Sequence, residues 1–320
     1  MTTPSVLKKM RKTIILASPR GFCAGVDRAI KIVEVALEKF GRPVFVRHEI
    51  VHNKRVVNDL AAKGAVFVKE LDEVPSGSPV IFSAHGVAKA VHQTAQKLNM
   101  IAIDATCPLV TKVHIEANKH VRQGRHIFLI GHAGHPEVVG TMGQVEANEI
   151  TLIETVEDAF AVQPPEDCDL AFATQTTLSA DETAEIITVL QHRFPQIRGP
   201  KGEDICYATT NRQNAVKAMA KDVDLCLVIG AQNSSNSKRL VETALNAGIA
   251  KAELIADSNM LPYELIDDAA VIGLTAGASA PEILIDEVLT ALSERYQIEV
   301  NTQNFITEKM QFKLPSMLTK

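Results

Sequence analysis

A loop carrying a single cysteine, set between an apolar run of strand length and a segment of helical period, occurs three times in register along this chain. The first, Ser18-Pro19-Arg20-Gly21-Phe22-Cys23-Ala24-Gly25-Val26, follows the run 13–17 and opens into a helical pattern. The second is Asp104-Ala105-Thr106-Cys107-Pro108-Leu109-Val110 and the third Gly202-Glu203-Asp204-Ile205-Cys206-Tyr207-Ala208-Thr209-Thr210. Cys107 follows Cys23 by 84 residues, and Cys206 follows Cys107 by 99. After each cysteine the next polar loop begins at His48, Gly131 or Gly230, which is 25, 24 or 24 residues on. A period near 100 residues held this closely implies like units repeated, not one large core.

Within each period, apolar runs alternate with helix-period segments, the pattern of parallel α/β units. The expected fold is therefore α/β, three similar parallel-sheet domains in a pseudo-threefold arrangement around a central site. The spacing sets the domains at 13–105, 106–204 and 205–293, with a tail, 294–320, that returns to pack on the first. In parallel sheets the binding groups sit on loops leaving the carboxyl ends of strands. Nine such loops occur here, three per domain, and a threefold arrangement turns them all toward one central volume.

Composition narrows the partners. The 320 residues are 46% hydrophobic and 22% charged, ordinary for a globular chain, and the net charge of −5 argues against nucleic acid or an anionic membrane as general partner. Five cysteines, an odd number, spread over this length do not form a disulfide framework. They point to a reducing, cytoplasmic setting with thiols kept for chemistry. Lys8, Lys9, Arg11 and Lys12 before the run 13–17 imitate a signal peptide, but the run is too short and Pro19-Arg20 ends it. Residues 1 to about 12 read as a frayed tail, and no run reaches the roughly 18 apolar residues of a membrane span.

A thiol at a helix start meets the positive end of the helix dipole, which favours the thiolate. Three thiolates suit zinc or an iron–sulfur cluster. Structural zinc sites draw paired ligands from short Cys-x-x-Cys loops, which this chain lacks, whereas single cysteines on three domains suit a larger object. The residues thus favour a cluster held by Cys23, Cys107 and Cys206 with one iron left open. The other central loops are rich in His, Ser, Thr and Asn, and they start helices, a combination that binds phosphate without much formal charge. Ser234, Ser235, Asn236, Ser279, His52 and His85 are the nominated donors. Glu137 is one of two carboxylates in these loops, with Glu49, and is the natural proton donor.

Taken jointly, the first cysteine loop, Ala-Thr-Cys-Pro at 105–108, Gly-His-Ala-Gly-His-Pro-Glu at 131–137, Thr-Gln-Thr-Thr-Leu-Ser at 174–179, Ile-Cys-Tyr-Ala-Thr-Thr-Asn-Arg-Gln at 205–213, Ser-Ser-Asn-Ser at 234–237 and Thr-Ala-Gly-Ala-Ser-Ala-Pro at 275–281 resemble the IspH/LytB family of 4-hydroxy-3-methylbut-2-enyl diphosphate reductases. The resemblance runs from about residue 13 to the last twenty residues. It implies reductive dehydroxylation of an allylic diphosphate to isopentenyl and dimethylallyl diphosphate, the last step of the methylerythritol phosphate route to isoprenoids. It also implies one [4Fe-4S] cluster per chain on Cys23, Cys107 and Cys206, with the substrate hydroxyl at the open iron. By motif matching, His52, His85, Ser234, Asn236 and Ser279 would hold the diphosphate, with Ser235 and His135 assisting. Glu137 would relay protons, and Thr176 would position Glu137 and the substrate alcohol. Ferredoxin or flavodoxin would supply electrons singly.

Other readings stand beside this one. A zinc-dependent hydrolase or lyase could use the same three thiolates, as could a non-catalytic redox sensor. Cys168 and Cys226 lie at the edge and middle of apolar strands and read as packing residues. His48 and His132 read as loop caps as readily as ligands. His92, His114, His120, His126 and His192 read as surface or packing residues.

Overall fold

The structure, a computed structural model, describes residues 9–319. Strand β1 (Arg11–Ser18) opens the chain. It is followed by α1 (Ala24–Phe40), β2 (Val44–Arg47), α2 (Lys54–Ala62), β3 (Ala65–Val68), β4 (Pro79–Phe82), α3 (Lys89–Lys97) and β5 (Ile101–Asp104). The second period holds α4 (Pro108–Arg122), β6 (Arg125–Ile130), α5 (Pro136–Met142), β7 (Ile150–Ile153), α6 (Val156–Ala161), β8 (Asp169–Thr174) and α7 (Ala180–Arg193). The third holds α8 (Tyr207–Met219), β9 (Leu225–Ile229), α9 (Ser235–Asn246), β10 (Lys251–Ile255), α10 (Tyr263–Asp268), β11 (Val271–Ala276) and α11 (Ile283–Arg295), and the chain closes with β12 (Gln297–Asn304) and α12 (Ser316–Thr319).

The strands form three sheets, in the orders β3-β2-β4-β5, β7-β6-β8 and β10-β9-β11-β1-β12, and every pair is parallel. Central strands covered on both faces must be apolar throughout. Accordingly β9 (Leu-Cys-Leu-Val-Ile) is buried at every position, and β6 and β8 at all but the first. The helices show one apolar face each: in α1 the buried positions Val26, Ala29, Ile32, Val33 and Ala36 recur at helical spacing, and Gly41 ends it with positive φ, donating its N–H to Leu37 O.

The repeat is real but offset by one strand. β5, which leads to Cys107, is the fourth strand of the first sheet, and an isolated parallel bridge of Arg198 to Ala171 extends the second sheet ahead of Cys206. By the same pattern β1, which leads to Cys23, pairs with β11. The strand before Cys107 and the bridge before Cys206 thus belong to the sheet of the preceding period, and β1 lies within the last sheet, between β11 and β12. The boundary expected at residue 13 would have put this strand with β2–β5. Hydrophobic pattern specifies that a strand is buried, not which sheet buries it.

Cα packing divides the chain into two compact units, residues up to Phe22 with Asn211–Lys309, and Cys23–Thr210 with residues from Met310 onward. The larger holds the first two sheets, the smaller the five-stranded sheet. In the tail, β12 runs beside β1 over eight residue pairs. Phe305 and Ile306 are exposed beyond its end. The basic segment at the N-terminus also differs from the frayed tail expected. Residues 1–8, including Lys8, lie outside the described residues, but Arg11 and Lys12 belong to β1. Lys12 is buried, its Nζ donating to Asp267 O (2.7 Å) and Ala269 O (2.6 Å). Strand β10 shows no continuous apolar run, because Lys251 and Glu253 face solvent on this sheet edge, where charge guards against further pairing.

The smaller unit contains a fully buried arginine. Arg212 donates to Gly21 O (2.7 Å) and Phe22 O (3.1 Å), the two residues before Cys23, and pairs with Glu308 (3.1 Å) from the tail. A buried charge deprived of its partner is costly. Glu308→Ala should therefore lower the unfolding free energy by about 3 kcal/mol, against about 1 kcal/mol for Glu308→Gln, which keeps a neutral acceptor. Urea titration of both variants measures this, and equal small losses would mean that the charge pair is not what secures Arg212.

Candidate active site

Each of the three cysteines occupies the position where a helix begins. Cys23 O accepts from Asp27 N (3.0 Å), Cys107 O from Thr111 N (2.9 Å) and Cys206 O from Thr210 N (3.1 Å), the first intrahelical bonds of α1, α4 and α8. This position ordinarily favours Ser, Thr, Asp or Asn, whose side chains cap the helix. Cys107 holds this position with the backbone N–H groups of Leu109 and Val110 turned to its sulfur. Cys206 Sγ accepts from Thr209 N at 3.4 Å. In place of a side chain at position 25 there is room for sulfur: a Cβ on Gly25 would lie 2.8 Å from Cys107 Sγ and 3.7 Å from Cys23 Sγ.

The thiols do not behave as the helix dipole alone suggests. Burial pushes the Cys107 thiol up to about 12, against bonds from the backbone of α4 that lower it, and the charges of Cys23 and Cys206 raise it further. Burial likewise raises Cys206 to about 11, with Cys23 adding to it and Thr209 opposing. Desolvation outweighs the helix terminus here. That three thiols influence one another shows them gathered in one region. Among the described residues, however, no three His, Cys, Asp or Glu groups close tightly enough to hold a single metal ion.

Backbone bonds tie these cysteines to the neighbouring loops of the larger unit. Cys107 N donates to Ala84 O (2.9 Å), and Ala84 N to Ile50 O (3.1 Å), linking the loops after β5, β4 and β2. These loops carry His85 and His52, whose rings stack at 4.1 Å. His135, from the loop after β6, meets them edge-on at 5.6 and 5.9 Å. Burial, then the neighbouring imidazoles, holds His85 well below its ordinary range and His135 at about 4. His135 Nδ1 accepts from Glu137 N (3.1 Å), which fixes the neutral tautomer with its proton on Nε2.

Glu137 is buried in the first turn of α5, after Pro136, whose missing N–H costs nothing at a helix start. Its carboxyl accepts from Thr176 N (2.6 Å) and Thr176 Oγ1 (3.0 Å). Burial nonetheless raises it to about 7, with Asp204 adding to the rise and the Thr176 bonds opposing it. Thr176 in turn accepts from Cys206 N through its carbonyl (2.9 Å), so the carboxyl, the threonine and a cysteine form one bonded series. Sequence reasoning gave no role to Asp204, two residues before Cys206. Its buried carboxylate accepts from Thr174 N (3.1 Å) and pairs with Lys112 of α4 (3.2 Å), joining the Cys206 loop to the helix that Cys107 begins.

The smaller unit holds the remaining expected residues on loops after adjacent strands β9 and β11. Ser234 begins α9, its Oγ accepting from Ser237 N (3.4 Å) and Ser237 Oγ (3.0 Å). Asn236 Oδ1 accepts from Ala278 N (2.8 Å), which ties α9 to the loop bearing Ser279. Ser234, Asn236 and Ser279 are buried, and Ser235 is half-buried. A Cβ on Gly277 would fall 2.1 Å from Ser237 Oγ, so glycine is what permits this approach. The same loop reaches the first cysteine loop through Gly21 N, which donates to Ala276 O (3.1 Å).

Residues read as packing behave so: Cys226 is fully buried in β9, and Cys168 Sγ meets Pro165 O at 3.3 Å. His126 is buried and bonded to Thr151 Oγ1 (2.8 Å), and His132 N donates to Gln175 Oε1 (3.1 Å) in its loop.

A thiol cradle at three helix starts, beside a carboxyl poised to hold a proton, makes this an α/β protein suited to a thiolate-bound metal group and proton-coupled chemistry. The family model described as LytB protein matches residues 14–293, and the chain belongs to that family. It is 58% identical over 311 residues to the 4-hydroxy-3-methylbut-2-enyl diphosphate reductase of Paracoccus denitrificans, covering 97% of this chain and 98% of that one. The same-named protein of Hyphomonas neptunium is 58% identical over 306 residues, covering 96% and 97%. Among solved structures, the E-1-hydroxy-2-methyl-but-2-enyl-4-diphosphate reductase of Plasmodium falciparum superposes with a TM-score of 0.90 at 36% identity, covering 98% of this chain and 97% of that one. A second, described as the terminal enzyme of the non-mevalonate pathway, gives 0.64 at 32% identity, covering 88% and 99%.

Two outcomes follow from the geometry. Thr176→Val removes one bond that favours the Glu137 carboxylate, so the carboxyl should titrate above 7 in the metal-free protein. Infrared difference spectra across pH 5–9 measure this, and an unchanged or lower midpoint would contradict the bond's role. Gly25→Ala should leave the fold intact yet cut iron and sulfide uptake at least tenfold, because the added methyl occupies the space beside Cys107 Sγ. Normal uptake would show that the space is not required.

Proposed function

We propose that this chain is an oxidoreductase that removes the hydroxyl of 4-hydroxy-3-methylbut-2-enyl diphosphate, giving isopentenyl and dimethylallyl diphosphate. The overall change takes two electrons and two protons and releases water: R–OH + 2e⁻ + 2H⁺ → R–H + H₂O. The observation that carries the reading is the gathering of three single, half-buried thiols at helix starts beside a carboxyl that burial raises to about 7.

The thiols suit a [4Fe-4S] cluster held by Cys23, Cys107 and Cys206. Thiols that raise one another's pKa need a multiply charged partner to ionise together, and Gly25 leaves room for a bulky one. A mononuclear zinc site, the rival reading, would need ligands drawn closer than any three among the described residues. When bound, the cluster supplies one-electron steps and Lewis acidity toward the alcohol.

The chain's own residues do the rest. Glu137, with its carboxyl at about 7, carries a proton at and below neutral pH and delivers it to the departing oxygen. Thr176 fixes which way the carboxyl faces, and its two bonds stabilise the carboxylate left after donation. The donors proposed for the diphosphate are the imidazole N–H groups of His52, His85 and His135 and the hydroxyl, amide and helix-start groups of Ser234, Ser235, Asn236 and Ser279. Burial disfavours positive charge on His85 and His135, and a diphosphate anion beside them favours it. Electrons come singly from ferredoxin or flavodoxin.

Protein purified without oxygen should contain iron and acid-labile sulfide and reduce the allylic diphosphate with dithionite and methyl viologen as donor. Glu137→Gln should keep the iron and sulfide and lose at least 99% of turnover. Wild-type turnover should fall as pH rises through about 7, as the donor deprotonates. Cys168→Ser and Cys226→Ser should keep full metal content. Zinc without sulfide, or near-normal turnover of Glu137→Gln, would overturn the respective assignments.

A further inference from the structure

Reduction requires electrons from outside the chain, and one surface of the larger unit adjoins Cys107 directly. A groove of about 570 Å³ is lined by Arg28, Thr106, Pro108, Lys112, Ile115 and Lys119, among others. Thr106 and Pro108 flank Cys107 in the chain. From Pro108 the positions 112, 115 and 119 recur on one face of α4, so a stripe of two lysines and an isoleucine runs along the helix that Cys107 begins. Arg28, on the helix that Cys23 begins, donates to Ala105 O (3.2 Å) and Thr106 O (3.0 Å) and so bridges both cysteine-bearing helix starts.

Two features mark this groove as a docking surface. The first is charge: the chain carries −5 overall, yet the lining holds three cations, Arg28, Lys112 and Lys119, against one carboxylate, Glu116, and with Lys112 paired to the buried Asp204 it is Arg28 and Lys119 that carry the surplus. Lys313, exposed in the tail, adds to the rim through its carbonyl, which accepts from Arg28 Nε (2.8 Å). The second is Ile115, 59% exposed at the centre of the lysine stripe. A branched aliphatic ringed by cations is the composition of an interface with an acidic protein, where charge guides approach and a small apolar contact fixes register. None of His52, His85, His135 and Glu137 lines the groove, so a partner here leaves those residues to the substrate.

We propose that this face of α4, with Arg28, docks an acidic one-electron carrier protein and delivers electrons by way of the Cys107 helix start. The proposal rests on the reductase reading. Each encounter oxidises one carrier by one electron, and two encounters supply the pair consumed with two protons when one alcohol becomes alkene and water.

The test uses cluster-loaded enzyme and its Ile115→Glu and Lys119→Glu variants, assayed with reduced plant-type ferredoxin and separately with dithionite-reduced methyl viologen. Each variant should raise KM for ferredoxin at least tenfold, flatten its dependence on ionic strength, and leave viologen-driven turnover and KM for the diphosphate unchanged. Unaltered KM for ferredoxin in both variants would overturn the docking site while leaving the reductase reading intact. Wild-type turnover with viologen but none with ferredoxin would overturn the acidic carrier. No wild-type turnover with either donor would instead overturn the reductase reading, and the proposal with it.

Discussion

Three thiols that repel one another once ionised have to be brought together below the surface before they can bind anything in common. The chain sets each cysteine at a helix start, its carbonyl accepting the first bond of the helix that follows. Strands β1 and β5 lead toward Cys23 and Cys107, and an isolated bridge at Arg198 precedes Cys206. Burial and mutual repulsion keep Cys107 and Cys206 protonated in isolation, at about 12 and 11. A multiply charged metal group that replaces the protons offsets both the desolvation, which is the larger cause, and the mutual repulsion.

The neighbouring bonds link this thiol arrangement to proton handling. Thr176 meets Glu137 with its N–H and hydroxyl and Cys206 with its carbonyl, so a change at the thiol end reaches the carboxyl through one residue. Asp204 joins the same region to α4 through Lys112 and raises Glu137 by its charge. The carboxyl is thus held protonated near neutrality by burial and a like charge, while its two hydrogen bonds limit how far it rises. A donor balanced in this way can both hold a proton at rest and part with it on demand.

Much of this was legible in the chain itself. The register of Cys23, Cys107 and Cys206 with their following loops gave the three-sheet α/β plan, and Gly41 marked the end of α1. Glu137, Thr176 and the histidines 52, 85 and 135 stand out in the chain's own motifs. What escaped depends on distant partners. Nothing local tells β1 that it pairs with β11 and not β2, since both would bury the same Ile14 and Leu16. The dipole argument for reactive thiolates failed at Cys107 and Cys206 because it counts the helix terminus and omits desolvation, which the sequence does not display. Arg212 and Asp204 owe their roles to carbonyls and a lysine many residues away, and Lys12, in a basic segment that reads as tail, owes its burial to Asp267 O and Ala269 O.

The central claim is that Cys23, Cys107 and Cys206 together hold one iron–sulfur cluster whose remaining iron is left for the substrate. Mössbauer spectra of protein reconstituted with ⁵⁷Fe, taken with and without the allylic diphosphate, address it most directly. The account predicts one iron distinct from the other three, with only that one changing its isomer shift when substrate is added. Four equivalent irons, or spectra that substrate leaves untouched, would contradict it.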